Sequence, residues 1–230
     1  MPQQADSLMI FAAGFGTRMG ALTATRPKPL IEVAGRPLID RALARAEEAG
    51  IARIVVNTHY LGDRIADHLH GRNVAISHEW PEILDTGGGL RQALPMLGDG
   101  PVMTLNPDVI WAGPNPLALL RDAWDPAKMD ALLLCLAPHH AIGRKGGGDF
   151  TLGADGTLTR KGDVIYGGAQ MLDPAGLHDI PDRAFSLNRL WDRMIDDGRL
   201  YGVLYPGTWC DIGHPEGIAL AEKMLAQADV

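Results

Sequence analysis

Cysteine is scarce in this chain. Cys135 and Cys210 stand alone, each in apolar company, which excludes a disulfide framework and a cysteine-based zinc site. Positive charge is also short. Lys and Arg number 21 against 28 Asp and Glu, a net charge of −7, which argues against general binding to nucleic acid or to an anionic membrane. No apolar run reaches membrane-spanning length, and the opening residues MPQQADS lack a hydrophobic signal core. The expectation is a cytoplasmic, soluble protein that needs no obligatory protein partner. Two familiar phosphate motifs are missing as well. A P-loop needs a lysine directly after its glycines, and the dinucleotide fingerprint needs GxGxxG. Neither occurs.

What is present suits one α/β domain. The 230 residues are 46% hydrophobic, enough for a sizeable core. Apolar runs at 7–13, 54–57, 74–78, 102–105 and 131–136 read as buried strands. Helical spacing recurs at 38–49, 63–70, 90–97 and 116–123. Such alternation predicts a mainly parallel sheet with helices on both faces. After about Pro138 the texture changes to a Gly-rich basic loop, HHAIGRKGGGDF, then short strands at 150–152, 158–160 and 164–170. A helix at 187–197, a strand at 200–205 and a closing helix at 216–227 follow. No internal repeat or long linker interrupts the chain. Residues 1–137 and 138–230 read as two halves of a single domain, the later part an elaboration on the substrate side.

The stretch AAGFGTRMGALTATRPKPL, Ala12 to Leu30, directly follows the first strand. Its glycines are spaced GxGxxxG. Gly14 and Gly16 let backbone N–H groups approach an anion closely. Arg18 adds a rigid fork of donors for phosphate oxygens. Lys28 lies between Pro27 and Pro29, which hold the segment extended and aim one ammonium at a fixed point.

This stretch, continued through IEVAGRPLID, resembles the signature of the sugar-1-phosphate nucleotidyltransferases, GxGTRhxPLTxxxPKPLhxVxGKPhI. The resemblance covers essentially the whole chain. It implies a Rossmann-like sheet and a Mg²⁺-dependent reaction that joins a nucleoside triphosphate to a sugar 1-phosphate and releases pyrophosphate. It carries triphosphate contacts onto Ala13, Gly14, Gly16, Thr17, Arg18 and Lys28, with Arg18 and Lys28 also expected to act in catalysis. Asp108, closing a strand at Asn106-Pro107-Asp108, and Asp211, in TWCDIG, align with the two metal aspartates of the family. Mg²⁺ prefers one or two carboxylates plus substrate oxygens. Asn106 is carried over as a nucleotide contact and Asp108 as catalytic. Pro107 replaces a family glycine, which removes an N–H beside the nucleotide.

Two arguments bear on the base, and they diverge. Glu79 or Glu82 could read a base edge, and Gly87 and Gly88 in DTGGGL could let a flat base lie on backbone. A carboxylate only accepts, and guanine offers two adjacent donors, so this favours GTP. The segments DTGGGLRQALPMLG, HHAIGRKGGGDF and TWCDIGHPEGIALAE instead resemble the N-acetylmuramate-1-phosphate uridylyltransferases of cell-wall recycling, which favours UTP. Mannose-1-phosphate guanylyltransferase is the alternative enzyme reading, and a non-catalytic sugar-nucleotide sensor the alternative of another class. On the sugar side the resemblance implies contacts from Asp149, Lys161 and Arg189. Arg144 or Lys145 is the candidate partner for the lactyl carboxylate of N-acetylmuramate. Trp191 and Trp209 are expected in the core more than as sugar platforms.

Overall fold

The computed structural model describes residues 6–228. In chain order its strands are β1 (Ser7–Phe11), β2 (Glu32–Val33), β3 (Arg36–Pro37), β4 (Arg53–Thr58), β5 (Ala75–His78), β6 (Val102–Leu105) and β7 (Val109–Ala112), then β8 (Ala131–Leu136), β9 (Ala141–Ile142), β10 (Phe150–Leu152), β11 (Leu158–Arg160), β12 (Ile165–Leu172), β13 (Leu200–Leu204) and β14 (Thr208–Asp211). The helices are α1 (Leu38–Glu48), α2 (Gly62–Leu69), α3 (Asp85–Leu97), α4 (Pro116–Ala123), α5 (Asn188–Asp196) and α6 (Glu216–Ala228). No helix among the described residues is long and apolar enough to cross a membrane.

A seven-stranded sheet in the order β13-β8-β12-β6-β1-β4-β5 forms the centre. Its pairs are parallel except where β12 runs antiparallel to β6 and β8. The mainly parallel α/β architecture expected from the pattern is therefore present, with one reversed strand. Residues of β1 alternate between two cores. Leu8 and Ile10 join helices α1, α2 and α4 on one face, while Met9 joins α3 and α5 on the other. Burial on both faces explains why LMIF, which follows Ser7 in this strand, is a continuous apolar run. A third cluster, including Met19, Ile110, Ile212 and Met224, packs α6 and the glycine-turn segment against β7 and β14.

Three differences from the sequence pattern matter for the site. The first strand ends at Phe11 rather than Ala13, because the Ala12 N–H leaves the ladder and donates to Asn57 Oδ1 at 2.7 Å. Helix α3 begins at Asp85, so the TGGG run lies inside it rather than ahead of it. Strands β7 and β14 were not expected. They pair antiparallel, with Asp211 in register with Val109.

Candidate active site

The parallel strands β1, β4, β5 and β6 deliver their C-terminal ends to one edge of the sheet. Strand β1 lies between β4 and β6 there, and the crevice at such a switch point is where open α/β sheets bind ligands. A cavity of about 330 Å³ opens there, lined by Ala13, Gly14, Gly16, Thr17, Arg18 and Lys28 among others. A second cavity of about 350 Å³ adjoins it. Arg18, Asp85, Thr86, Asn106 and Asp108 border both.

The glycine turn is shaped by one obligatory glycine. Gly16 has φ +64°, and a Cβ there would stand 3.0 Å from Lys28 Cβ and from Thr23 Cγ2. Its bare backbone therefore lets the lysine segment press against the turn. The Thr23 hydroxyl donates to Gly16 O at 3.0 Å and fixes the loop. Gly14 differs, because a Cβ would meet nothing within 4 Å. Lys28 is 8% exposed, and its Nζ lies 2.5 Å from Asp108 Oδ2. A buried ammonium needs such a partner.

The carboxylate pair is assembled by β7 and β14. Asp108 directly precedes β7, Asp211 ends β14, and the Ile212 N–H donates to Asp108 O at 3.0 Å. Burial first, then the charge of Asp108, raises the pKa of Asp211, while Lys28, Arg18 and Arg144 pull it down. Two neighbouring carboxylates, one of which resists ionisation because of burial and the charge of the other, suit a hard divalent cation, with substrate oxygens completing its shell. Among the described residues no group of three or more His, Cys, Asp or Glu gathers as a metal cage, so the pair alone would hold such an ion. A Cβ on Gly213 would lie 2.9 Å from Asp211 Oδ2 and 3.0 Å from Arg18 Nη1. Gly213 therefore keeps the arginine and the aspartate close, a role that the sequence did not reveal.

Of the two glutamates considered for the base, the structure brings only Glu79 to the cleft. Its carboxylate is 0% exposed and already committed. Asn57 Nδ2 donates to Oε1 at 2.6 Å, and the Leu84 N–H donates to Oε2 at 2.6 Å. Burial raises its pKa above the usual carboxylate range. Glu82 lies on the surface within 3.4 Å of Arg183 and lines neither cavity. Gly87 and Gly88 are buried inside α3, where both N–H groups donate to Phe185 O. They serve helix packing and line neither cavity. Asn57, absent from the expectation, links Ala12 to Glu79 and lines the first cavity.

The second cavity contains Asp149 as expected. Arg144 Nη2 donates to Asp149 Oδ1 at 2.9 Å, and the Tyr166 N–H donates to Oδ2 at 2.9 Å. Lys161 and Arg189 are not brought to it. Lys161 is exposed with φ +65°, and Arg189 pairs with Asp182 on the surface. Arg144 and Arg160 line the cavity instead. Lys145 is exposed and outside it. Trp191 and Trp209 are 6% and 3% exposed, and their indole N–H groups donate to Gln170 Oε1 and Gly167 O, both at 2.9 Å. Both are core residues whose edges reach the cavity wall.

Residues 8–170 match the model of the MobA-like NTP transferase domain. The chain is 40% identical to the N-acetylmuramate alpha-1-phosphate uridylyltransferase of Caulobacter vibrioides, over 99% of this chain and all of that protein. It is 34% identical to the enzyme of the same name from Neisseria meningitidis, over 89% and 92% of the two chains. The mannose-1-phosphate guanylyltransferase catalytic subunit beta of Danio rerio is 27% identical over 96% of this chain and 64% of its own. In fold, the chain is similar to the crystal structure of HddC from Yersinia pseudotuberculosis complexed with GMP-PN. That match has a TM-score of 0.74 and 21% identity, covering 95% of this chain and 99% of that one. The chain belongs to the MobA-like NTP transferase family and, within it, to the sugar-1-phosphate nucleotidyltransferases.

Proposed function

We propose that this protein joins UTP to N-acetylmuramate 1-phosphate, forming UDP-N-acetylmuramate and pyrophosphate, as a cytoplasmic Mg²⁺-dependent enzyme of peptidoglycan recycling. The observation that carries the reaction class is the shared wall of the two cavities. A transferase must present two substrates to each other, and Arg18 and Asp108 stand where the cavities meet. The first cavity is lined by residues up to Asp108 plus Gly213, and most of the second by residues beyond 138. This supports a nucleotide half and a sugar-phosphate half. The choice of substrates rests on full-length similarity to two uridylyltransferases. The carboxylate argument for guanine is weakened, because Glu79 is fully buried and each of its oxygens already accepts a protein hydrogen bond.

The chemistry needs no side-chain nucleophile. An oxygen of the sugar phosphate, already anionic near neutral pH, attacks the α-phosphorus of UTP. The new P–O bond forms as the bond to the β-phosphate bridge breaks, and pyrophosphate leaves with that electron pair. The turn at Gly14 and Gly16 admits the triphosphate, Arg18 holds the departing pyrophosphate, and Lys28 sits beside the reacting phosphate. Asp149 and Arg144 position the sugar phosphate. Mg²⁺, held by Asp108 and Asp211, supplies charge neutralisation when bound. Positioning and electrostatics provide the rate.

The test is pyrophosphate release from UTP, GTP and dTTP against the 1-phosphates of N-acetylmuramate, N-acetylglucosamine, mannose and glucose. Strong release only with UTP and N-acetylmuramate 1-phosphate is expected. Preference for GTP with mannose 1-phosphate would replace this substrate pair. No release with any pair would return the protein to the sensor reading.

A further inference from the structure

The second cavity is lined by three arginines, and they divide by position. Arg18 borders both cavities, and Arg144 follows β9, whose Ile142 pairs with Cys210 of β14 next to Asp211. They belong to the end where the phosphates react. Arg160 stands on a different wall. It ends β11 opposite Phe150, and its Cζ lies 4.9 Å from the Phe150 ring centroid and 5.7 Å from that of Trp191. Its Nε donates to Asp192 Oδ1 at 2.8 Å, and its Nη2 to Asn188 O at 3.2 Å. Nη1 makes no hydrogen bond to the described residues.

We infer that Arg160 reads an anionic substituent on the sugar ring, so that this pocket selects an acidic sugar over a neutral one. The inference rests on the functional reading above and names the residue that sets its sugar choice. A sugar 1-phosphate must place its phosphate at the cavity junction, and its ring then extends along the second cavity toward Arg160. Neutral polar groups suffice to bind sugar hydroxyls. A guanidinium with one nitrogen unspent is matched to a carboxylate. Stacking on Phe150 and Trp191 holds the group in place before the ligand arrives, which lowers the ordering cost of binding. The Asp192 side chain is 60% exposed, so water screens its charge and it anchors Arg160 without cancelling it. N-Acetylmuramate carries a lactyl carboxylate on its ring. The 1-phosphates of N-acetylglucosamine, mannose and glucose carry no carboxylate. Arg144, the earlier candidate for that carboxylate, is instead committed to Asp149 and to the end of the cavity beside β14.

The experiment is calorimetric titration of UDP-N-acetylmuramate and UDP-N-acetylglucosamine into wild type, Arg160→Gln, Arg160→Lys and Arg144→Gln. These ligands share the nucleotide and the phosphates and differ by the lactyl group. Wild type is expected to prefer UDP-N-acetylmuramate. Arg160→Gln should reduce that preference by about tenfold or more, the scale of a lost charge-assisted hydrogen bond. Arg144→Gln should weaken both ligands together and keep their ratio. Arg160→Lys keeps the charge but not the planar fork, so the preference should fall by a smaller factor. It carries the test should the glutamine variant not fold. A wild type without preference, or an unchanged ratio in the Arg160 variants, overturns the inference and leaves the functional reading standing. A wild type that binds neither ligand overturns both.

Discussion

Lys28 and Asp108 stand 80 residues apart in the chain and 2.5 Å apart in the fold. The glycine turn makes this possible, since Gly16 has no side chain to hold the lysine segment away. Lys28→Ala should lower the turnover of pyrophosphate release by about two to three orders of magnitude, the scale of losing one preorganised electrostatic contact. Arg18→Ala should act likewise at the leaving group. Steady-state kinetics with circular dichroism as a folding control checks both. A near-normal rate in either variant removes that residue from the mechanism.

Metal dependence is the prediction that the proposed role of the two carboxylates makes. Chelation should abolish pyrophosphate release, and added Mg²⁺ should restore it. Asp108→Asn and Asp211→Asn should each lower the rate at fixed Mg²⁺ by about a hundredfold or more, as expected for losing a clamp on a transferring phosphoryl group. A Mg²⁺ titration of each variant provides the measurement. Full activity in chelator would exclude the assignment.

Two glycines separate packing from ligand approach. A Cβ at Gly88 would fall 2.4 Å from the carbonyl oxygen of Arg183, and backbone cannot yield cheaply. Gly88→Ala should destabilise the fold by about 1–3 kcal/mol. Gly14 has open space on its Cβ side, so Gly14→Ala should leave the urea midpoint in place and raise the KM for the triphosphate. If Gly88→Ala proves as stable as wild type, α3 does not pack against the 183–185 segment as described.

Glu79 gives stability a pH signature. Burial raises its folded-state pKa, so the folded protein holds that proton to higher pH than the unfolded chain does. As pH climbs from the ordinary carboxylate range through the raised value, ionisation of the buried group costs stability. Urea unfolding of wild type and Glu79→Gln across that window should show wild type losing ground relative to the variant as pH rises. The variant carries a fixed penalty of its own, since one amide nitrogen must face the N–H of Leu84 or Asn57. Wild type gaining on the variant over the same range would contradict a raised pKa.

Local chemistry made much of this site legible. The glycine turn, Arg18, Lys28, Asp108 and Asp211 were visible because each sits beside strong backbone punctuation: glycine, proline or a strand end. Three features misled. The TGGG run suggested a surface for a base, yet those glycines lie in α3 because Phe185 and Arg183 press against that face. Lys161 and Arg189 carried the expected charge, but a positive φ at Lys161 and the pair with Asp182 keep them outside the cavity. Arg160, next to Lys161 in sequence, lines the second cavity instead.

The sequence by itself determined the α/β alternation, the glycine turn after the first strand and the placing of Asp108 and Asp211 beside backbone punctuation. These depend on local backbone preference and on the period of burial, which a linear pattern records. Tertiary structure alone decided which charges meet. The pairing of β7 with β14 brings Asp211 beside Asp108, and Gly213 brings Arg18 against Asp211. The stacking of Arg160 on Phe150 and Trp191 places a cation on the wall of the second cavity. Charge encounters of this kind fall off within a few ångströms, and sequence distance carries no information about them.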